Sequence, residues 1–178
     1  MGVSPKEAAR AMQAFKKGIP IAVLRGLRKG MPIAVRLAKT KFMERKDNRH
    51  PFKVYDPPNP PPGPLGIRQG NLVRTVRVGE MRYTGGKVIA SIAAGNAAVP
   101  YAKVHEFGMT IKAKNGPFLI FPVGFPGGFA VARRPSVVIP ARPFLRPAVD
   151  EATPQIIEHV QKELMALARA TLRGVARF

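Results

Sequence analysis

The 178-residue chain contains no cysteine, which removes disulfides, thiolate zinc sites, iron–sulfur ligation and cysteine nucleophiles in one step. Acidic residues are scarce as well: ten Asp and Glu stand against 30 Lys and Arg, for a net charge of +20. Paired carboxylates for general acid–base work are correspondingly few. Asp150-Glu151 and Glu158/Glu163 fall around a terminal helix, where acids near the first turn answer the helix dipole and need no catalytic role. Long apolar runs are missing too. A membrane span needs about 18 or more consecutive apolar residues, and Lys, Arg or Pro interrupts every candidate, so the expectation is a soluble chain without membrane contact. The first fifty residues are basic and acid-poor, like a transit peptide, but hold one Ser and one Thr and run on without a cleavage-like boundary.

What is present is ordinary globular composition, 46% hydrophobic and 22% charged, so the charge is not that of a disordered basic tail. A chain of this length suits a single domain, 1–178, that buries roughly 70% of its unfolded surface. Residues 1–50 hold 13 basic and 3 acidic side chains, residues 51–130 hold 9 and 3, and residues 131–178 hold 8 and 4. Half the excess therefore lies in the first fifty residues, a basic helical region. Polyanions are the partners such a surface attracts: nucleic acid, anionic lipid or an acidic protein. Lys16, Lys17, Arg25, Arg28, Lys29 and Arg36 are the candidate polyanion contacts, although each alone equally suits a solvated helix face.

Ser4 as N-cap, Pro5 at the first helical position and Ala8, Ala11, Met12 and Phe15 on one face predict a helix over 5–17, ended by Gly18. Lys17-Gly-Ile-Pro-Ile-Ala-Val23 returns twelve residues later as Lys29-Gly-Met-Pro-Ile-Ala-Val35. Each Gly-x-Pro marks a restart or kink, giving helices at about 20–29 and 32–46, separate or as one kinked rod. Residues 56–66, with six prolines, are a stiff extended loop.

Period-two alternation over Leu72, Arg74, Val76 and Val78 predicts a strand. Thr84-Gly85-Gly86 predicts a turn, and Val88–Ala94 predicts the returning strand of a hairpin. Residues 100–108 read as a short helical turn closed by Gly108 in the left-handed conformation. Strands fit 109–113, 117–123 and 136–139, with a Gly/Pro/Phe loop at 124–135. Thr153 as N-cap and Pro154 at the first position open an amphipathic helix over 153–176. The order is α+β: N-terminal helices, an antiparallel β-sheet over 70–140 with long loops, and a C-terminal helix.

No catalytic constellation emerges. His50, His105 and His159 are about fifty residues apart and none has a second ligand at helical or hairpin spacing, so no metal and no other cofactor is expected. His105-Glu106 resembles the opening of a zincin helix, but Met109 stands where that motif needs its second His. Gly124, Gly127 and Gly128 lack the context of a phosphate-binding loop, and no serine sits in a nucleophile elbow. Arg74, Arg77 and Arg82 have only Tyr83 as a nearby aromatic, a poor stacking platform for single strands. Non-specific DNA contact stays open.

Two passages carry a family likeness: Pro100-Tyr-Ala-Lys-Val-His-Glu-Phe-Gly108 and Ile139-Pro-Ala-Arg-Pro-Phe-Leu-Arg-Pro-Ala148, about thirty residues apart and followed by a helix. Together with Gln69-Gly-Asn-Leu-Val-Arg-Thr75 as a Gly-x-Leu entry into the first strand, the chain resembles the tail-completion and virion-morphogenesis proteins of long-tailed DNA phages. The likeness covers residues 65–150 best. The chain departs from the family's pattern in its proline-rich loop, its enlarged Gly/Phe loop and its charge. The resemblance implies a non-enzymatic virion neck protein, assembled in the bacterial cytoplasm as a ring, with six as the expected number. Its implied partners are the connector or stopper, the tail terminator or tail tube, and packaged DNA. A tail terminator of the same neck is the alternative within the family, and a nucleic-acid-binding module the alternative outside it. The implied interface residues are Tyr101, Glu106, Phe107, Gly108, Arg142, Phe144, Leu145 and Arg146, with Phe144 and Leu145 as apolar anchors and the two arginines as forks for carboxylates.

Overall fold

A computed structural model describes residues 4–44, 63–67, 69–114, 116–122, 129–132 and 135–175. Most of the proline-rich stretch, the first part of the Gly/Phe loop and the far ends of the expected helices lie outside those residues. The class is the expected α+β. In chain order the elements are α1 (Pro5–Thr40), β1 (Met43–Glu44), β2 (Leu65–Gly66), α2 (Asn71–Thr75), β3 (Arg77–Thr84) and β4 (Lys87–Ala93). They continue with α3 (Ala102–Phe107), β5 (Met109–Lys112), β6 (Leu119–Pro122), β7 (Phe129–Ala132), β8 (Ser136–Ile139) and α4 (Leu145–Val175). The chain forms two compact units: Met1–Arg36 with Arg77–Ala93 and Val149–Phe178, and Leu37–Val76 with Ala94–Ala148.

In the first unit, the start of α1 is the one its sequence announces. The Ser4 N–H and Oγ–H donate to Glu7 Oε2 (2.9 and 2.7 Å) and the Glu7 N–H reaches back to Ser4 Oγ at 3.4 Å, a capping box that holds the Glu7 carboxyl below the usual carboxylate range. The expected end at Gly18 does not occur, and of the two readings of the Gly-x-Pro stretches the single rod holds: α1 runs through Gly18, Pro20, Gly30 and Pro32 as one 36-residue helix. Each proline removes a donor from the carbonyl four residues earlier, at Lys16 and Arg28, and both residues are exposed, so water can replace the lost bond.

Packing supplies the reason to continue. Gly18, Ala22, Gly26, Gly30, Ala34 and Ala38 recur every four residues, and α4 runs antiparallel along the glycines of this row. A Cβ at Gly18 would fall 2.7 Å from Leu167 Cδ1 and one at Gly30 2.9 Å from Ile156 Cα, while one at Gly26 would overlap the Val160 backbone. On α4 the facing residues Ile156 and Val160 are also four apart, so ridges of both helices interdigitate. The repeated Gly-x-Pro thus marks close helix approach, with proline tolerated beside it. Lys29 Nζ and Glu163 Oε1 close this pair at 2.5 Å.

The same unit holds the β3–β4 hairpin, whose two-residue turn puts Gly85 and Gly86 at φ 55° and 77° as a primed turn requires. A bulge between Val78 and Met81 places Gly79 where a side chain would strike Ser91 Oγ.

The second unit has its core in Met43, Leu65, Ile67, Val76, Val99, Ala102, Phe144 and Ala148, all buried. Here the expected strand from Leu72 is a correction: Asn71–Thr75 is one turn of helix entered through Gly70 at φ 74°, and the strand begins only at Arg77. The Gly-x-Leu passage therefore opens α2. Thr75 decides this locally, because its hydroxyl donates to the Leu72 carbonyl at 2.7 Å and accepts the Gly95 N–H at 2.9 Å.

A single sheet over 70–140 also does not form. Among the described residues there are four two-stranded ladders: β3–β4, β5–β8 and β6–β7 antiparallel, and β1–β2 parallel. Pro122, Pro135 and Pro140 stand at strand ends, where a missing N–H stops a ladder from extending. The expected 124–135 loop contains β7, since Phe129-Ala-Val-Ala132 is a short apolar run between Gly-Gly and Arg-Arg-Pro. The C-terminal helix starts at Leu145, eight residues before Thr153, and Pro154 lies inside it.

Candidate interaction site

What starts α4 early is a carboxylate from a distant turn. Glu106, on α3, is buried; its Oε2 accepts the N–H groups of Phe144 (2.9 Å) and Leu145 (3.0 Å), and its Oε1 accepts that of Arg146 (3.0 Å). Three N–H groups that a helix N-terminus leaves without intrahelical acceptors are thereby met by one negative charge, on the side where the helix dipole favours it. The two family-like passages are thus halves of one construction, with the acid in the first and the helix entry in the second. Thr153, expected as the cap, donates to the Val149 carbonyl at 2.8 Å within the helix instead.

Gly108 completes the corner. It has the expected positive φ, 71°, but its ψ of 165° is extended and not left-handed helical. A Cβ there would lie 2.9 Å from the Ala141 nitrogen and 3.0 Å from the Ile139 carbonyl oxygen, so the position needs glycine for both backbone and space. The Arg142 N–H donates to the His105 carbonyl at 2.6 Å, and the Tyr101 and His105 rings meet edge-on with centroids 5.9 Å apart. Burial, and after it the Arg142 guanidinium, holds the His105 imidazole pKa below its ordinary value.

The implied interface residues divide accordingly. Phe144 is fully buried at 0% exposure and Glu106 is consumed by the cap, so both act inside the unit; Phe144 as a surface anchor is a correction, made by its place in the core. Leu145 and Arg142 are half-buried. Tyr101, Arg146 and Phe107 are exposed, Phe107 to 73%. Beside them lies an apolar face that no sequence motif marks. In the β5–β8 register Met109 faces Ile139 and Ile111 faces Val137, so these four apolar side chains share one face of the ladder. Met109, Ile111 and Val137 are between 37% and 48% exposed. The alternation Met109-x-Ile111 and Val137-x-Ile139 was the available signal.

The six candidate polyanion residues are all exposed on α1. At 3.6 residues per turn Arg25, Lys29 and Arg36 share one face and Lys17 and Arg28 another, with Lys16 apart. The first face is engaged in structure: Lys29 bonds Glu163, and Arg25 helps to lower the Glu163 carboxyl pKa after the Lys29 hydrogen bond. Among the described residues no group of three His, Asp or Glu is placed to hold a metal ion, and no helix is long and apolar enough to cross a membrane.

No model of a known protein family matches the chain, and comparison with curated proteins and with solved structures likewise finds no match.

Proposed function

We propose that this chain is a structural, non-enzymatic protein of a phage neck, forming a ring that joins the tail tube to the head connector during virion assembly. The observation that carries the reading is the meeting of the two family-like passages at one corner, where Glu106 starts α4. That corner leaves Phe107 and the Met109–Ile111–Val137 face turned to solvent. A ladder with an apolar face that has two strands among the described residues is suited to pairing with another subunit, and the buried carboxylate cap, with its three backbone hydrogen bonds, holds the corner it would be packed against. The ring would lie in the virion and touch the stopper or terminator layer on one side and the tube on the other.

Native mass spectrometry and negative-stain microscopy of the purified chain test this. The expected result is a closed ring that decorates isolated tails or connectors, and that Ile111→Lys reduces to monomers while leaving the melting temperature within a few degrees, since the altered residue is on the surface. A wild-type chain that stays monomeric at every concentration and binds neither tails nor connectors would overturn the proposal.

A further inference from the structure

The second unit also contains a cleft of about 390 Å³, lined among others by Lys41, Phe42, Leu65, Arg142, Pro143 and Pro147. Its walls are mainly apolar rings and aliphatic carbons, and its charged lining residues are cations, with no acid among them. Arg142 is half-buried and forms no ion pair among the described residues, while its backbone is fixed by the hydrogen bond to the His105 carbonyl. Lys41 lies over the Phe42 ring, 5.8 Å from its centre. A half-buried arginine with no carboxylate paired to it among the described residues is an incomplete arrangement, because its fork of donors matches a carboxylate in geometry as well as charge.

We propose that this cleft binds an acidic peptide segment of a partner protein, with a carboxylate on the Arg142 guanidinium and a neighbouring apolar side chain against Phe42, Leu65 and the proline rings. Charge complementarity selects an acidic ligand for a chain of +20. The walls select peptide over nucleic acid: proline has no N–H to offer a phosphate, and the volume suits a few side chains. A duplex is read through many phosphates along an open basic surface, which a cleft with two cations does not provide. The cleft's chemistry is the same whatever assembly the chain enters.

Fluorescence anisotropy with the full chain provides the test. The probe is a labelled decapeptide alternating acidic (Asp, Glu) with apolar (Leu, Phe) residues. Its controls are a version with serine for every apolar residue, a version with amides for every acid, and a short DNA duplex. Binding should weaken about tenfold or more for either control peptide, and for the first peptide in Arg142→Gln and in Lys41→Gln, and stay unchanged in Arg28→Gln, a residue that does not line the cleft. Circular dichroism melting confirms that the variants fold, and the two single-cation variants guard against one of them failing to. Absence of binding, equal losses in Arg28→Gln and Arg142→Gln, or equal binding of the serine peptide would overturn the proposal. So would DNA binding that depends on Arg142 and that the peptide cannot displace.

Discussion

Glu106 shows how one side chain can set the boundary of an element 39 residues away. Its two oxygens receive three backbone donors, two of them part-buried and the Phe144 N–H fully so. Glu106→Gln keeps the shape but turns an NH2 toward one of those donors and removes the charge. It should lower the unfolding free energy by about 2 kcal/mol, the usual effect of leaving buried donors beside a lost charged acceptor. Urea denaturation followed by circular dichroism measures it; a change below about 0.5 kcal/mol would mean the cap contributes little. The residues themselves were legible in sequence, since Glu106, Gly108 and the Arg142–Ala148 run stand out. Their partnership was not, because a capping contact over such a separation leaves no periodicity to read.

Among the elements, α1 and α4 are defined by how closely they approach. The glycine row was visible as an echo, yet local rules read each Gly-x-Pro as a restart or kink, since glycine and proline both lower helix propensity. Tertiary packing reverses that reading wherever a side chain would collide with the partner helix. The contrast makes a paired prediction. Gly26→Ala gains helix propensity but overlaps the Val160 backbone, and should destabilise by about 1–2 kcal/mol net of that gain. Gly174→Ala, on α4 with open space around it, should be neutral or stabilise by up to about 1 kcal/mol. Thermal unfolding of the two variants reads the difference, and equal shifts would show that close approach is not what Gly26 serves. The short strands follow the opposite pattern: the β3–β4 hairpin was legible from its Gly-Gly turn, whereas β7 was hidden in a stretch whose Gly and Pro content suggested a loop.

For the whole molecule the governing quantity is charge. Each chain carries +20, so six copies would carry +120, and their mutual repulsion opposes any ring built from this chain alone. Added salt shortens the screening length from about 10 Å at 0.1 M to about 3 Å at 1 M. Homotypic assembly through the apolar β5–β8 face should therefore strengthen with salt, while attachment to an acidic layer or to packaged DNA should weaken. Sedimentation velocity at low and high salt separates these. A ring that dissociates as salt rises would place an anionic partner inside the assembly and shift the weight from the apolar face to the basic surface.

Composition and pattern by themselves determined the absence of thiol chemistry, the basic surface, the α+β order, the N-terminal cap of α1 and the glycine turn of the hairpin. These depend on residue identity or on neighbours within a few positions. Tertiary structure alone decided that α1 is continuous, that α4 begins at Leu145 and that Phe144 is core. Each of those rests on a contact between residues far apart in the chain, a helix against glycine or a carboxylate against a helix N-terminus. Local propensity sets only a weak preference of about 1 kcal/mol per residue or less, which such contacts exceed.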